Sequence, residues 1–421
     1  MTASSIDHTA EDVSPPATLT PDEALAIAEQ LRPQLLADQA DTELRTTYSP
    51  AMHEQFRQAG FYRLLQPVRY GGYAFDMPSF LAVMESVARG CMSTGWCLCL
   101  GASHALLVAS LWPKEVQDVV FADGHVVIPS TARPGGAARR TENGDWVLNT
   151  THPYSSGSPY STHYIGQAFE LDQQSGAPAQ QMLFIAPRDS YEVLDDWGRT
   201  LGLKGSGSNT IVLRDAHLPR EFVLENTMQV DLHCTNTSPG FELHGDPMHL
   251  APGQGFFGLD LATLFIGGAF GALDEYELLM RERKTAGDAG RAPAARLFNA
   301  DYQRWYGLAT ARLNSSRAIV RSAAEQWTAI CDRAARGGQP FTTEEDAMIN
   351  MMSREATRLA WSAAQDILFR TAGSSAAVNG ERMERSFRNL AQAWSHVNMV
   401  IEDSMARDWS KAHLALGTEA D

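Results

Sequence analysis

Residues Asp196-Trp197-Gly198-Arg199-Thr200-Leu201-Gly202-Leu203-Lys204-Gly205-Ser206-Gly207-Ser208 set a run of glycines and serines directly before the β-branched segment Thr210-Ile211-Val212-Leu213. On a β surface such small residues let backbone amides and hydroxyls approach a flat ring closely, where a larger side chain would hold it away. Taken alone, the cluster reads first as a simple hairpin turn. It is neither a P-loop nor a dinucleotide fingerprint: Gly205-Ser206-Gly207-Ser208 lacks the third glycine and sits inside a β pattern. No pyridine-nucleotide site is therefore expected on this chain.

Working outward, a second cluster of the same kind, Tyr154-Ser155-Ser156-Gly157-Ser158, follows the strand-like Gly144-Asp145-Trp146-Val147-Leu148-Asn149. Short β-branched and aromatic runs alternating with Gly, Pro, Asn and Ser mark a middle β domain over 125–235. Before it lies a helical domain, 19–124. Thr20 can cap a first helix, with Pro21 at its first position and Glu23 completing a capping box. Gln66-Pro67-Val68-Arg69-Tyr70-Gly71-Gly72 is a loop between helices.

Gly90 to Pro113 carries no Lys, Arg, Asp or Glu and is about long enough to cross a bilayer. Ser93, Thr94, Gly101, Ser103 and His104 interrupt it, and no aromatic and basic belt flanks it, so a buried core helix is expected instead. After an irregular connection, 236–257, a helical bundle spans 258–421, broken at Gly337-Gly338-Gln339-Pro340 and Ala372-Gly373-Ser374-Ser375. The leader, 1–18, is expected to be disordered; it has no basic or apolar region of a secretory signal.

With 421 residues, 44% of them hydrophobic and 20% charged, the chain can bury a large core. A formal charge of -16 opposes binding to nucleic acid or anionic lipid and leaves small molecules and proteins as partners. Five scattered cysteines fit reduced thiols in the cytoplasm rather than a disulfide framework. His244 and His249, with Asp246, do not match a usual ligand pattern, so no metal is expected.

Three segments together resemble the acyl-CoA dehydrogenase superfamily, over about Ala24 to Leu416: the two Gly/Ser clusters with their strands, and Gly271-Ala272-Leu273-Asp274-Glu275-Tyr276 leading to Arg283-Lys284. The resemblance implies an α+β, mainly α, fold with an N-terminal helical domain, a middle β-barrel or sandwich domain and a C-terminal four-helix bundle. It also implies a flavin held by Trp96, Ser156, Gly157, Ser206, Gly207, Ser208, Gly373 and Ser374, with Arg283 on a flavin phosphate.

The chemistry turns on Glu384-Arg385-Ser386-Phe387-Arg388-Asn389-Leu390-Ala391-Gln392-Ala393-Trp394-Ser395-His396. The common acyl-CoA dehydrogenases place a catalytic Glu about nine residues beyond the Arg that Arg388 resembles; here that neighbourhood holds His396, although some relatives carry the carboxylate elsewhere. A histidine here resembles the two-component flavin-dependent monooxygenases, oxygenase component, as do His104 and Ser130 on the substrate side and Ser156 near flavin N5. The branch implies reduced FMN or FADH2 delivered by a separate NAD(P)H:flavin reductase, reaction with O2 to a C4a-hydroperoxide, and hydroxylation of an aromatic, phenolic small molecule by a homotetramer. Oxygenation of nitrogen or sulfur, or an acyl-CoA dehydrogenase-type desaturation, are the alternatives.

Read from the residues alone, Arg388, Gln392 and His396 share one helical face at four-residue spacing, which suits a lined cavity or a solvated face. His104 is either a satisfied core histidine or part of a site. His396 would serve as the base for a phenol, since imidazole titrates near neutral pH.

Overall fold

The structure is a computed structural model that describes residues 15–172, 177–286, 292–400 and 402–414. The expected leader lies outside the described residues up to position 14. Helix α1 (Pro21–Ala37) starts as its sequence dictates: Thr20 accepts from Glu23 N while the Glu23 carboxylate returns to the Thr20 amide. Helices α2 (Gln39–Arg45), α3 (Pro50–Gln58), α4 (Met77–Gly90), α5 (Met92–Leu111) and α6 (Lys114–Val120) complete the N-terminal part. The loop before α4 holds Gly71 at φ +77°, and a Cβ on Gly72 would lie 1.9 Å from Gln66 O.

One mixed seven-stranded sheet follows, in the order β5-β6-β2-β1-β3-β4-β7. Its strands are β1 (Ala137–Arg140), β2 (Trp146–Ser155), β3 (His163–Leu171), β4 (Pro178–Pro187), β5 (Glu192–Val193), β6 (Asn209–Leu218) and β7 (Val223–Glu225). All pairings are antiparallel except β1 with β3. Alternation along the strands divides the sheet between two cores. Ile165, Leu183 and Ile185 join the large helical core, while Tyr164, Phe184 and Ala186 join Trp146, Leu148, Ile211 and Leu213 in a core of the sheet's own.

The connection expected to be irregular carries the short helix α7 (Pro239–His244) and a 3-10 turn at Pro247–Leu250. Helix α8 (Gln254–Glu282) begins four residues earlier than the sequence suggested. Its cap comes from a distant residue: Asp346, on α10 (Thr343–Ala363), accepts from the amides of Gln254 at 2.8 Å and Gly255 at 2.9 Å. These two bonds satisfy donors that the local sequence leaves orphaned. Helix α9 (Ala300–Ala335), a π-turn at Ala364–Phe369 running into the stub α11 (Arg370–Ala372), α12 (Arg382–Trp394), α13 (Val397–Val400) and α14 (Glu402–His413) complete the chain. Helix α8 is the hub, with α4, α5, α9, α10 and α12 all packed on it. Helices α5 and α8 are long and apolar enough to cross a membrane, and both are enclosed by the rest of the protein.

Helix α12 is fastened to the rest of the fold by charge. Glu43 of α2 receives Arg388 at 2.9 Å and Arg385 at 3.2 Å, with all three side chains at most 14% exposed. Burial alone would raise the pKa of Glu43, but the two guanidinium groups outweigh it and hold the carboxyl below its ordinary range. Removing Glu43 would leave Arg385 without its anion and Arg388 with Glu384 alone, which costs about 3 kcal/mol, the lower end for breaking a buried pair. Glu43→Gln is therefore expected to lower unfolding free energy by that order in urea titrations at pH 7. Because the folded carboxyl is the stronger acid, its contribution is complete above its ordinary pKa of 4.5 and fades as the pH falls below it, so wild type and variant should converge in acid.

Candidate active site

Helix α5 brings most of the site together, because its apolar, almost entirely buried course carries polar side chains at a few positions. Trp96 donates from Nε1 to Ser156 Oγ at 3.1 Å. Ser156 Oγ lies 2.7 Å from Ser208 Oγ, which lies 2.7 Å from Ser206 Oγ. The two links between three hydroxyls use two of their three protons, and Trp96 supplies its own. One hydroxyl proton is left over, with no acceptor in any described bond.

The two Gly/Ser clusters are thus joined side by side, not merely turned. Gly157 (φ +84°) donates to Ser206 O at 3.2 Å and Gly207 O at 3.1 Å, and Ser158 Oγ donates to Gly207 O at 3.0 Å. Gly207 (φ +52°) donates to Thr46 O at 2.8 Å, and the Cys97 thiol donates to Ser206 O at 2.7 Å. The left-handed backbone at both glycines is what lets the two turns lie this close. A row of small residues with one hydroxyl proton to give fits an acceptor on the edge of a flat ring such as a flavin.

His396 completes this group, its ring 5.7 Å from that of Trp96 in an edge-on arrangement. The sequence put His396 on the continuing face of α12, but the helix ends at Trp394 and His396 follows in a turn, its amide donating to Ala393 O at 3.0 Å. The expected polar stripe does not line one cavity either: Arg388 is bound to Glu43, Glu384 and Leu201 O. The imidazole keeps some accessible surface yet is densely surrounded. Burial, helped by the charge of Arg354, pushes its pKa down to about 4 rather than leaving it near neutral.

What holds His396 near the serines is the docking of α12 on the 196–208 hairpin. Asn389 Oδ1 accepts from Leu203 N at 2.8 Å, Arg388 donates to Leu201 O at 3.1 Å, and a Cβ on Gly202 would lie 2.0 Å from Arg388 O. Helix and hairpin meet backbone to backbone.

Further along α5, His104 is linked to Ser130 through the segment 128–130, which carries both the carbonyl that His104 contacts and that serine. His104 Nδ1 lies 2.7 Å from Ile128 O, and since a carbonyl only accepts, Nδ1 carries the proton and Nε2 is left as the acceptor. Burial pushes this imidazole down to about 4 as well, against the opposing pull of the Ile128 and Leu100 carbonyls. Ser130, two residues beyond Ile128, donates to Gln229 Oε1 at 3.3 Å. Phe257 of α8 lies 6.1 Å from the His104 ring.

Arg283, Gly373 and Ser374 form a third group, apart from the serine chain. Arg283 follows the end of α8 and is engaged by Ser375 Oγ at 2.7 Å and by Glu381 at 3.2 Å. Gly373 (φ +92°) turns the chain out of α11 into the 3-10 turn Ser374–Ala376. A phosphate reaching Arg283 here would compete with Glu381. Two surface clefts, one lined by Arg32, Arg89, Asp274 and Arg382 and the other by Gln326, Arg333 and Met348, share no residue with any of the three groups.

Asp260 was not singled out from the sequence, and it is fully buried on α8 beside Cys99 and Ser103 of α5. The signal was present: it is the only charged residue between Gln254 and Gly271.

Comparison with known proteins shows the family and the fold. Residues 24–112 match the family described as acyl-CoA dehydrogenase, N-terminal domain, and residues 259–400 match acyl-CoA dehydrogenase, C-terminal domain. The chain is 27% identical over 368 residues to the flavin-dependent monooxygenase, oxygenase subunit HsaA of Rhodococcus jostii (strain RHA1), across 86% of this chain and 88% of that one. The crystal structure of 3-HSA hydroxylase from Rhodococcus sp. RHA1 shares the fold with a TM-score of 0.82, at 23% identity, over 94% of this chain and 98% of that one. XiaF from Streptomyces sp., in complex with FADH2 and glycerol, does so with a TM-score of 0.81, at 20% identity, over 95% and 97%. The two family matches together span more than half of the sequence, and the chain belongs to the acyl-CoA dehydrogenase superfamily.

Proposed function

We propose that this enzyme is the oxygenase component of a two-component flavin-dependent monooxygenase, hydroxylating an aromatic, phenolic small molecule with reduced FMN or FADH2 and O2 through a flavin C4a-hydroperoxide. The observation that carries the reading is the hydrogen-bonded run Trp96–Ser156–Ser208–Ser206, with its one undirected proton, beside His396. The HsaA similarity and the FADH2 bound by XiaF support it.

The flavin supplies what side chains lack, the activation of dioxygen. The chain's own residues bind and shield it. Ser156, Ser206 and Ser208 present a hydroxyl proton to a ring acceptor, while Gly157 and Gly207 keep the surface low enough for the ring to lie flat. Arg283, with Gly373 and Ser374, holds the phosphate end in exchange for Glu381. The buried wall of α5 excludes water, which protects a reactive oxygen species from hydrolysis and loss.

His396 and His104 are neutral throughout the physiological range, so neither holds a phenol's proton as a stable imidazolium. His396 accepts the one hydrogen bond that the substrate hydroxyl can donate, drawing electron density towards the ring carbon that receives oxygen, while His104 and Ser130 line the site beside it. The oxidised flavin would be reduced again by a separate NAD(P)H:flavin reductase. Assembly into a homotetramer is what the family resemblance implies for this chain. The buried free thiols support a cytoplasmic setting.

Mixing the purified chain with reduced FMN or FADH2 and then oxygen should give a long-lived hydroperoxide absorbance by stopped flow. A protein that instead purifies yellow and is bleached anaerobically by an acyl-CoA would be a desaturase. His396→Ala is expected to uncouple: flavin is still oxidised, while product per flavin falls about tenfold and peroxide replaces it, the rate equivalent of one lost hydrogen bond of about 1.4 kcal/mol. Unchanged product yield in that variant would remove His396 from the site. Protonation of His396 should become appreciable only as the pH approaches 4, so coupling should show no inflection near 6.5 and should fall only in stronger acid.

A further inference from the structure

Asp260 is a carboxyl group without a task in the scheme above. Its side chain is fully buried, and neither Oδ1 nor Oδ2 has a hydrogen-bond partner. Ser103 Oγ, facing it from α5, is buried and unpartnered too. Burial pushes the carboxyl up to about 7; Ser103 and Cys99 are near enough to pull the other way, but neither reaches it in normal hydrogen-bond geometry. Leaving a carboxyl and a hydroxyl face to face and unsatisfied in an apolar interior is costly, and such groups persist where a bound molecule completes them.

Their position along α5 says which molecule. Cys99 follows Trp96 by three residues, about one helical turn, and Ser103 immediately precedes His104. Phe257, one turn before Asp260 on α8, lies against His104. The Asp260–Ser103 pair therefore stands between the Trp96–serine–His396 group and the His104–Ser130 group, on the wall formed by α8.

We propose that Asp260 and Ser103 are a second polar contact for the substrate and recognise a hydroxyl group on it, distinct from the one held by His396. This rests on the reading of the two histidine groups as the substrate site. A neutral carboxylic acid offers one donor and one acceptor, which is the complement of a hydroxyl, and Ser103 adds a further donor and acceptor. No cationic side chain acts on Asp260 strongly enough to recruit an anionic substrate group instead. A site built to bond a hydroxyl rejects the analogue that lacks it, because its own polar groups then stay unpaired.

The test is equilibrium binding by calorimetry, without flavin or oxygen, of a monohydroxylated naphthalene and of the dihydroxynaphthalenes that add one hydroxyl on the far ring. The wild type should bind at least one diol about tenfold more tightly than the mono-ol. Asp260→Leu should abolish that preference by weakening the diol about tenfold while leaving the mono-ol within about twofold. Ser103→Ala should reduce the preference in part, and Asp260→Asn, which keeps a donor and an acceptor in the same shape, should retain most of it. Thermal melts of each variant establish that it folds, and the loss of preference in Ser103→Ala carries the test if Asp260→Leu does not.

Absence of any preference in the wild type, absence of binding by either ligand, or equal weakening of both ligands in Asp260→Leu overturns the proposal. So does loss of turnover with unchanged diol preference, which would make Asp260 a proton-transfer group. Because binding is read without flavin, a wild type that selects the diol yet forms no oxygenated product would contradict the monooxygenase reading and leave this contact standing.

Discussion

The backbone contact between α12 and the 196–208 hairpin constrains everything else at the site. Gly202 sits where any Cβ would strike Arg388 O, Leu203 is held at φ +50°, and Asn389 takes the Leu203 amide. A non-glycine residue in the left-handed region is strained and persists only when its surroundings over-determine it. Here the surroundings do so from two sides: α12 above, and α2 below through Thr46 O on Gly207 and the Glu43 carboxylate on Arg385 and Arg388. A buried ion cluster of this kind adds little net stability compared with apolar packing, but it admits only one docking of its partners. That single docking fixes Ser206 and Ser208 relative to His396, two parts of the sequence nearly two hundred residues apart.

Helix α5 then works as the spine on which these parts are aligned. It has no face turned to water, so its polar residues take partners from other elements, Trp96 from Ser156, Cys97 from Ser206 O and His104 from Ile128 O, while Ser93 and Ser103 are left without one. Each of those bonds ties a different piece of the β region to the helix. The same burial that makes the bonds obligatory keeps both imidazoles uncharged. The site's chemistry and its assembly thus have one origin, the exclusion of water from the region between α5, α8 and the sheet.

What was legible in the sequence is what local rules determine. The Thr20 capping box, the loop at Gln66–Gly72, the uncharged α5 and the two Gly/Ser turns all follow from short-range sterics, donor counting and hydrophobic pattern, and the resemblance added which turns face one another. What was missed depends on partners far away in sequence. The early start of α8 comes from Asp346, on a helix that begins almost ninety residues later. The end of α12 at Trp394 carries neither Gly nor Pro to announce it, so the four-residue spacing from Arg388 to His396 looked like one continuous face. Arg283 read as a phosphate ligand, and only the fold reveals Glu381 opposite it.

The pKa of His396 illustrates the same limit and bears on the reaction. From sequence an imidazole is a group poised near neutrality, because the reference value is the only one available. Enclosure shifts it towards 4, which weakens it as a base and favours the neutral imidazole near pH 7. For deprotonating a carbon acid that weakness would be a serious defect. For holding a phenolic hydroxyl it is an advantage, since a neutral acceptor polarises the bond without moving the proton and without placing a positive charge beside an electron-poor oxidant. A site that must retain activated oxygen until the substrate is in position is better served by hydrogen bonds that are already formed than by a group that must first titrate.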